Sequence, residues 1–276
     1  ATGEHGDLLD LIAGNRGLTR FADIAEEARA FLALPPPIAE PHPCQRKTLA
    51  PPSDRARRLF TKARPIAGTL AETYLRTRGI VAGADCTALR YHADCWHWRG
   101  AGLPRGAWPA LIAAVTDNLG AITAVHRTWL ARDGSGKAPL ETPRRAMGGV
   151  AGHAIRFGKC RNILVAGEGI ETILSLRMAL RAMPMAACTS ANHLGMFDPP
   201  SSLERFYVAR DADAAGRRAF ASLEARAKTA GIEILPLDPI ADDFSTDLQL
   251  HGPIRLVERL SSQLHPADRL HLVAPR

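Results

Sequence analysis

Residues 163–171 read ILVAGEGIE, and residues 206–216 read FYVARDADAAG. Each stretch opens with four apolar residues, the length and composition of a buried β-strand, and then changes to a loop rich in glycine or acidic residues. Helical patterns follow the two loops over 169–182 and 214–230. The alternation of strand and helix continues to residue 237 and predicts a parallel sheet flanked by helices.

Acidic side chains follow three of the predicted strands. Glu168 comes after the first, Asp211 and Asp213 follow another, and Asp243 lies beyond the strand at 233–237. Because the carboxyl ends of parallel strands meet at one edge of a sheet, we expect these carboxylates to share a crevice. Clustered carboxylates repel unless a cation lies among them, and their oxygens suit Mg²⁺ or Mn²⁺. A second interpretation stays open, in which the aspartates cap helices and the glutamate is a solvated loop residue.

Composition narrows the class of protein. Of 276 residues, 46% are hydrophobic and 23% charged, as in globular proteins and unlike disordered or fibrous chains. No apolar run reaches about 18 residues, which predicts no membrane partner, and the start lacks a signal-peptide pattern. Five cysteines without a C-x-x-C pair predict reduced thiols, a cytoplasmic location and no zinc site.

Charge divides the chain into unlike halves. Residues 1–165 carry 23 basic and 14 acidic residues, a net charge of +9, whereas residues 166–276 carry 12 and 14, a net charge of −2. A basic half commonly faces a polyanion, of which nucleic acid is the first candidate. The alternative is a basic surface without such a partner.

The expected fold class is α/β, or α+β over the whole chain, because other patterns precede the parallel segment. Helices are predicted at 19–34 and 54–78, and a hairpin is predicted within 111–129. Seven prolines between the two helices predict a linker. The resulting segments are N-terminal helices at 1–34, a Pro-rich linker at 35–53, a small mixed basic subdomain at 54–161, the parallel segment at 162–250, and a C-terminal helix or tail at 251–276.

The motif Glu168-Gly169, followed by Asp211-x-Asp213-x-Ala215-Gly216, resembles the Toprim domain of bacterial primases, topoisomerases and nucleases. The stretch GEGIETIL at 167–174 is similar to primase-like Toprim proteins of phages, plasmids and integrative elements. The resemblance covers about 162–250 and implies a compact parallel sheet with helices on it. It also implies an origin in a mobile genetic element.

The resemblance implies roles for the acidic residues. Glu168 would act in acid/base chemistry at the phosphoryl group, and Asp211 and Asp213 would complete the catalytic set by holding the metal. The metal-side residues implied by the family are Glu168, Glu171, Asp211, Asp213 and Asp243. The family usually has Asp-aromatic-Asn-Asp-Asp-Leu in the last motif, whereas residues 243–248 read DFSTDL.

The likeness extends upstream to residues 125–130, VHRTWL, and 133–138, DGSGKA. Bacterial primases carry an Arg and a Lys in this order, facing template and incoming nucleotide. The implied nucleotide- or DNA-binding residues are Arg127, Lys137, Arg144, Arg145 and Arg156, with a solvated basic face as the alternative. Residues 3–12 are similar to the exit of the primase zinc ribbon, whose ligands are not in the sequence.

The function that follows is that of a primase-like nucleotidyltransferase. It would join ribonucleoside triphosphates into short RNA primers on single-stranded DNA, with Mg²⁺ or Mn²⁺ as cofactor, and could work with a replicative helicase. The alternatives are a Toprim nuclease that cleaves DNA and a non-catalytic, DNA-binding replication accessory protein.

Overall fold

The structure is a computed structural model that describes residues 8–32, 52–81, 86–97, 106–180 and 182–272. It divides into two units, residues 1–48 and 49–276. The smaller unit contains helices α1 (Leu8–Arg16) and α2 (Phe21–Phe31). These two helices contact each other, and an ion pair of 2.9 Å joins Arg16 and Glu27. Most of the predicted Pro-rich linker lies outside the described residues.

The larger unit begins with an antiparallel sheet. In chain order its elements are α3 (Pro52–Lys62), β1 (Arg64–Pro65), α4 (Leu70–Thr77), β2 (Leu89–His97), β3 (Gly106–Thr116), β4 (Ile122–Trp129) and β5 (Arg144–Gly148). The five strands lie in sequence order, and each pairs antiparallel with the next. The predicted hairpin corresponds to β3 and β4, which are longer than the sequence pattern indicated.

The predicted single helix at 54–78 is wrong, because the chain breaks between α3 and α4. Pro65 cannot continue a helix and instead pairs with β2. Gly68 has a positive φ of 68°, which glycine adopts without a steric penalty. Thr69 then caps α4, its hydroxyl accepting a hydrogen bond from the backbone N–H of Ala71.

The second sheet follows. Its elements are β6 (Ile155–Phe157), β7 (Ile163–Gly167), α5 (Ile170–Ala179), β8 (Met185–Ala187), α6 (Ala191–Gly195), β9 (Arg205–Ala209), α7 (Ala214–Thr229), β10 (Glu233–Leu237) and α8 (Phe244–Gln263), followed by a 3₁₀ helix (Pro266–His271). The strand order is β10-β9-β7-β8-β6, and all pairs are parallel except β6–β8. The predicted parallel sheet with helices, and thus the α/β class, is confirmed.

Two boundaries differ from the sequence prediction. Strand β6 was expected in the basic segment, but it pairs with β8 and extends the second sheet. Helix α8 starts at Phe244, well before the expected C-terminal helix at 251–276, and bends at Gly252, whose φ of 75° is not helical. No helix in the described part of the chain has the length and apolar character to cross a membrane.

The two faces of strand β4 have different surroundings. Val125 and Trp129 are buried against α3 on one side of the first sheet. Arg127 lies between them on the same side, because alternate residues of a strand share a face. His126 and Thr128 face the opposite side, where their cross-strand neighbours on β3 join the core that contains α5. The first sheet therefore presents one face to α3 and the other to the second sheet.

Candidate active site at the carboxyl edge of the second sheet

Three loops meet at the carboxyl ends of neighbouring strands of the second sheet. Glu168 follows β7, Asp211 and Asp213 follow β9, and Asp243 precedes α8 after β10. The backbone N–H of Ala212 donates a 2.9 Å hydrogen bond to the carbonyl of residue 242, which ties two of the loops together. The structure thus brings these four predicted carboxylates to one edge of the sheet.

The carboxylates act on one another electrostatically. Burial, together with the charges of Glu168, Asp243 and Asp213, raises the pKa of Asp211 to about 7. Burial and the charge of Asp213 also raise the pKa of Glu168, against the opposing effect of a hydrogen bond from the backbone N–H of Ala191. A carboxyl group that resists ionisation among other carboxylates marks a place where positive charge would be stabilised.

The residues present fit a divalent cation. Oε1 of Glu168 and Oδ1 of Asp211 are buried and have no hydrogen-bond partner, which is costly for polar atoms unless another group satisfies them. No three His, Cys, Asp or Glu side chains within the described ranges form a ready-made metal cage. Mg²⁺ does not require one, because it keeps several waters and binds through one or two carboxylates and substrate phosphates.

Helix capping accounts for part of the acidic pattern. Asp213 caps α7 by accepting from the backbone N–H of Gly216 at 2.7 Å, and Asp243 caps α8 by accepting from that of Thr246 at 2.6 Å. Each cap uses only Oδ1 of its carboxylate. Asp211 is not a cap, so the capping interpretation does not explain its burial.

A glycine permits the close approach that positions Asp211. A Cβ atom at Gly216 would lie 2.5 Å from the carbonyl oxygen of Asp211, closer than such atoms pack. The first turn of α7 therefore fits beneath the loop only because residue 216 has no side chain. This explains, in this chain, why an Ala-Gly pair follows the two aspartates.

The sequence over these elements matches a known family. Residues 163–253 match the family described as the Toprim domain. The chain contains a Toprim domain. Residues 50–157 match a second family, described only as a domain of unknown function, DUF7146. No curated protein sequence matches the chain.

Several solved structures with a similar fold are primase domains. The zinc-binding and RNA polymerase domains of the Aquifex aeolicus primase superpose with a TM-score of 0.54 and 13% identity, over 94% of this chain and 71% of that one. A DNA primase domain from Pseudomonas aeruginosa gives 0.53 and 14%, over 77% and 79%. A DnaG primase catalytic domain bound to single-stranded DNA gives 0.51 and 15%, over 79% and 80%. At these identities the likeness establishes the fold.

A strained turn supports Glu168 within the Toprim domain. Thr189 has a φ of 74°, which is unfavourable for a β-branched residue. The backbone N–H of Thr189 donates a 2.7 Å hydrogen bond to the carbonyl of Glu168. The backbone N–H of Ala191, two residues later, donates to the Glu168 carboxylate. Nδ1 of His193 lies 3.0 Å from the hydroxyl oxygens of both Thr189 and Ser190, so one imidazole holds two adjacent residues of the turn.

Glu171 lies in a buried network instead of among the four carboxylates. The hydroxyl of Tyr74, on α4, donates to Oε1 of Glu171 at 2.6 Å, and Nζ of Lys137 lies 3.4 Å from the same oxygen. Burial alone would raise the pKa of Glu171, but Lys137 and Tyr74 outweigh it and lower the pKa to about 2. Both partners come from the DUF7146 segment, so this carboxylate joins that segment to α5. Its predicted metal role stays a prediction.

One predicted cation acts on the acidic edge, and a second is held by Glu171. Arg144, on β5, lowers the pKa of both Glu168 and Asp211 and acts on Glu171 as well. Lys137 forms its ion pair with Glu171. The structure therefore brings Arg144 to the four carboxylates and Lys137 to Glu171.

The other three basic residues lie elsewhere. Arg127 stacks over the ring of Trp129 at 4.9 Å on the α3 side of the first sheet, and Arg145 lies opposite it on β5. Arg156 donates to Asn118 at 2.6 Å and stacks over Phe197 at 5.3 Å. The structure does not bring them to the carboxylates, and their predicted contact with nucleotide stays a prediction.

Sequence reasoning missed several groups at the site. His193, Thr189 and Ser190 come shortly after strand β8, and the polar run TSANH at 189–193 was the available signal. Tyr74 and His126 gave no comparable signal. Tyr74 is on helix α4 and His126 is on strand β4, and each comes close to Glu171 only through the packing of these elements in the folded chain. His126 is buried beside Glu171, and burial lowers its pKa to about 4, so it is neutral near pH 7.

Proposed function

We propose that the chain is a primase-like nucleotidyltransferase that joins ribonucleoside triphosphates on a single-stranded DNA template. One observation carries the proposal: two buried, partnerless carboxylate oxygens, on Glu168 and Asp211, lie near enough to Arg144 for its positive charge to act on both carboxylates, in a segment that matches the Toprim domain. Negative charge on one side and positive charge on the other match a metal-bound triphosphate.

The carboxylates would hold the metal. Asp211 and Asp213 would bind Mg²⁺ or Mn²⁺, with Asp243 beside them, since these carboxylates act on one another and each cap leaves one oxygen free. When bound, the cation supplies charge stabilisation for the triphosphate and the departing pyrophosphate. The unfavourable burial of the Asp211 carboxylate is relieved when positive charge occupies this edge.

Glu168 would act as the general base. The 3′-hydroxyl oxygen of one ribonucleotide attacks the α-phosphorus of the next, a new P–O bond forms, the bond to the β-phosphate oxygen breaks, and pyrophosphate leaves. Glu168 accepts the hydroxyl proton, because its raised pKa makes its carboxylate a stronger base than an ordinary glutamate. The Thr189–Ala191 turn holds that carboxylate in place.

Arg144 and Lys137 would bind the triphosphate. Arginine offers paired N–H donors to phosphate oxygens, and a lysine adds a compact charge. Glu171, which is itself held by the hydroxyl of Tyr74, fixes the ammonium group of Lys137. A triphosphate would therefore bind this group with little loss of conformational freedom. A fixed cation opposite a developing negative charge lowers the barrier more than a mobile one.

The template would be single-stranded DNA, and a replicative helicase would be a further partner. One structurally similar protein is a DnaG primase catalytic domain bound to single-stranded DNA, and the first 165 residues of this chain carry a net charge of +9. In this proposal, residues 54–161 form the basic subdomain and 162–250 the Toprim domain. The short strand β6 links the two, since it lies within the basic segment in sequence and pairs with β8 in the Toprim sheet.

The test combines the chain with a single-stranded DNA template, labelled ATP or GTP, and Mg²⁺ or Mn²⁺. We expect labelled oligoribonucleotides that need both template and metal, and none from the Glu168→Gln variant. Metal-dependent shortening of the DNA without such products would instead establish a Toprim nuclease. DNA binding with neither reaction would establish an accessory protein.

A further inference from the structure

Three arginines gather on the α3 side of the first sheet, away from the Toprim carboxylates. Arg127 on β4 and Arg145 on β5 are cross-strand partners. Arg55 lies on α3, which packs across β4 and β5, and its positive charge acts on Arg127 together with that of Arg145. We call Arg55, Arg127 and Arg145 the arginine cluster.

In the part of the chain that the structure describes, no carboxylate pairs with the arginine cluster. Within the described ranges, none of the three forms an ion pair with a carboxylate. The guanidinium of Arg127 donates to the backbone carbonyls of Arg145 and Ala146, each at 3.4 Å, and lies beside the thiol of Cys95, whose pKa is raised by burial. Burial, and then the neighbouring positive charges, lower the pKa of Arg127. Like charges placed directly opposite each other on two strands destabilise a sheet.

The cost of this arrangement indicates a ligand. Arg57, on the same helix, differs from the cluster, because it has Asp54 beside it as an ion-pair partner. The ring of Trp129 holds Arg127 from one side, which limits the directions in which its N–H groups point. A phosphate group would neutralise the cluster and accept paired hydrogen bonds from it.

We propose that the arginine cluster binds phosphates of the single-stranded DNA backbone, at a site separate from the catalytic carboxylates. The inference rests on the proposed function for the identity of the anion. It assigns the site to DNA and not to the incoming nucleotide, because Arg144 and the carboxylates lie toward the other face of the first sheet. The template would therefore contact both faces of that sheet.

The test uses two double variants that remove equal charge. Arg55→Ala/Arg145→Ala removes the two exposed members of the cluster and leaves the half-buried Arg127 in place. Arg57→Ala/Arg255→Ala is the matched control, because both of its arginines are exposed and paired with a carboxylate. Binding of fluorescein-labelled oligo(dT) is measured by anisotropy over a range of NaCl concentrations, without nucleotides or metal.

We expect the cluster variant to bind oligo(dT) roughly tenfold more weakly at low salt, and the slope of log Kd against log salt to fall by about 1.4, or about 0.7 for each lost phosphate contact. The control should keep the parent slope. Equal slopes in the two double variants would overturn the proposal, because they would mean that only net charge matters.

Nucleotide binding separates the cluster from the catalytic site. A cluster variant that kept its DNA affinity but lost affinity for ATP would assign the cluster to the nucleotide and overturn the proposal. The binding readout does not depend on catalysis. A parent chain that makes no primers, but whose salt slope falls only in the cluster variant, would refute the proposed function and leave the DNA site standing.

Discussion

At the scale of single residues, the environment of Asp211 decides what the acidic edge does. Its carboxylate is half-buried, has one partnerless oxygen and lies near three other carboxylates. A fold gains nothing from such a group by itself, since the charged form is disfavoured both by burial and by repulsion. The residue is better explained by what it binds than by what it stabilises.

The first prediction concerns the stability of the metal-free protein. The pKa of Asp211 is about 7 in the folded chain, against about 3.9 in an unfolded one. The unfolded state therefore releases its proton first, and folding loses stability as pH rises from about 4 to about 7. We expect Asp211→Asn to unfold at a higher temperature than the parent at pH 8 in EDTA, with the difference closing toward pH 4. A difference that does not vary with pH would contradict this.

The second prediction concerns the turn beneath Glu168. His193→Ala removes the imidazole that holds Thr189 and Ser190, so the amide of Ala191 should open and exchange hydrogen faster. We expect primer synthesis to fall roughly tenfold at an unchanged nucleotide KM, since the carboxylate is displaced but the triphosphate site is intact. His193→Asn, which can still bond a hydroxyl, should recover part of the loss. Asn192→Ala serves as the control, and parent-like exchange and turnover in His193→Ala would refute the role.

The positions of the four carboxylates followed from sequence because the geometry of parallel sheets places strand ends together. The positions of Arg127, Arg145 and Arg156 did not follow, and β4 shows why for Arg127. Both faces of β4 are buried, so no alternation of polar and apolar residues marked which face each side chain takes. Arg127 and His126 are adjacent on β4, so their side chains take opposite faces: Arg127 lies on the α3 side and His126 faces Glu171.

At the scale of elements, the start of α7 fixes the aspartate loop. Its first turn packs so closely under Asp211 that residue 216 must be glycine. The third prediction is that Gly216→Ala displaces this loop. We expect a loss of about 1–3 kcal/mol in the free energy of unfolding from the steric overlap, together with weaker Mn²⁺ binding.

Gly149→Ala is the control for that substitution, because a Cβ at Gly149 meets nothing within 4 Å. Thermal unfolding and Mn²⁺ titration of both variants provide the measurement. Parent-like Mn²⁺ affinity in Gly216→Ala would mean that α7 and the aspartate loop are not coupled.

The fourth prediction concerns the contact of α4 and α5. Glu171 has a folded pKa of about 2 against an unfolded value of about 4.3. A lowered pKa stabilises the fold above the unfolded value, and this stabilisation disappears as pH falls from about 4 to 2. Glu171→Gln should therefore be less stable than the parent at pH 7 and should lose less stability on acidification. Parallel curves of melting temperature against pH would contradict the network.

Element boundaries were harder to predict than element types. The four strands between residues 163 and 237 agree closely with the sequence pattern, because each is short and mostly apolar, whereas the short helix α6 was not predicted. The break between α3 and α4 was missed although Pro65 and Gly68 marked it. Strand β6 could not be assigned to its sheet, since three residues carry too little pattern to choose between neighbouring sheets.

At the scale of the whole molecule, the two sheets of the larger unit divide the charge. The first sheet carries Arg144 toward the Toprim carboxylates and the arginine cluster on its other face. The second sheet carries the acidic edge. This agrees with the net charges of +9 and −2 in the two halves of the sequence. The proposed chemistry has a single centre, the acidic edge at which Asp211 and Asp213 would hold the metal and Glu168 would accept the proton.

The most direct test compares Glu168→Gln and Asp211→Asn with the parent in two assays, Mn²⁺ titration and templated oligoribonucleotide synthesis. We predict that Asp211→Asn binds Mn²⁺ more weakly and is inactive, because it lacks the charge that holds the cation. Glu168→Gln should bind Mn²⁺ like the parent and lose at least about 100-fold in synthesis rate, because it cannot accept the proton. Parent-like synthesis in either variant would contradict the account.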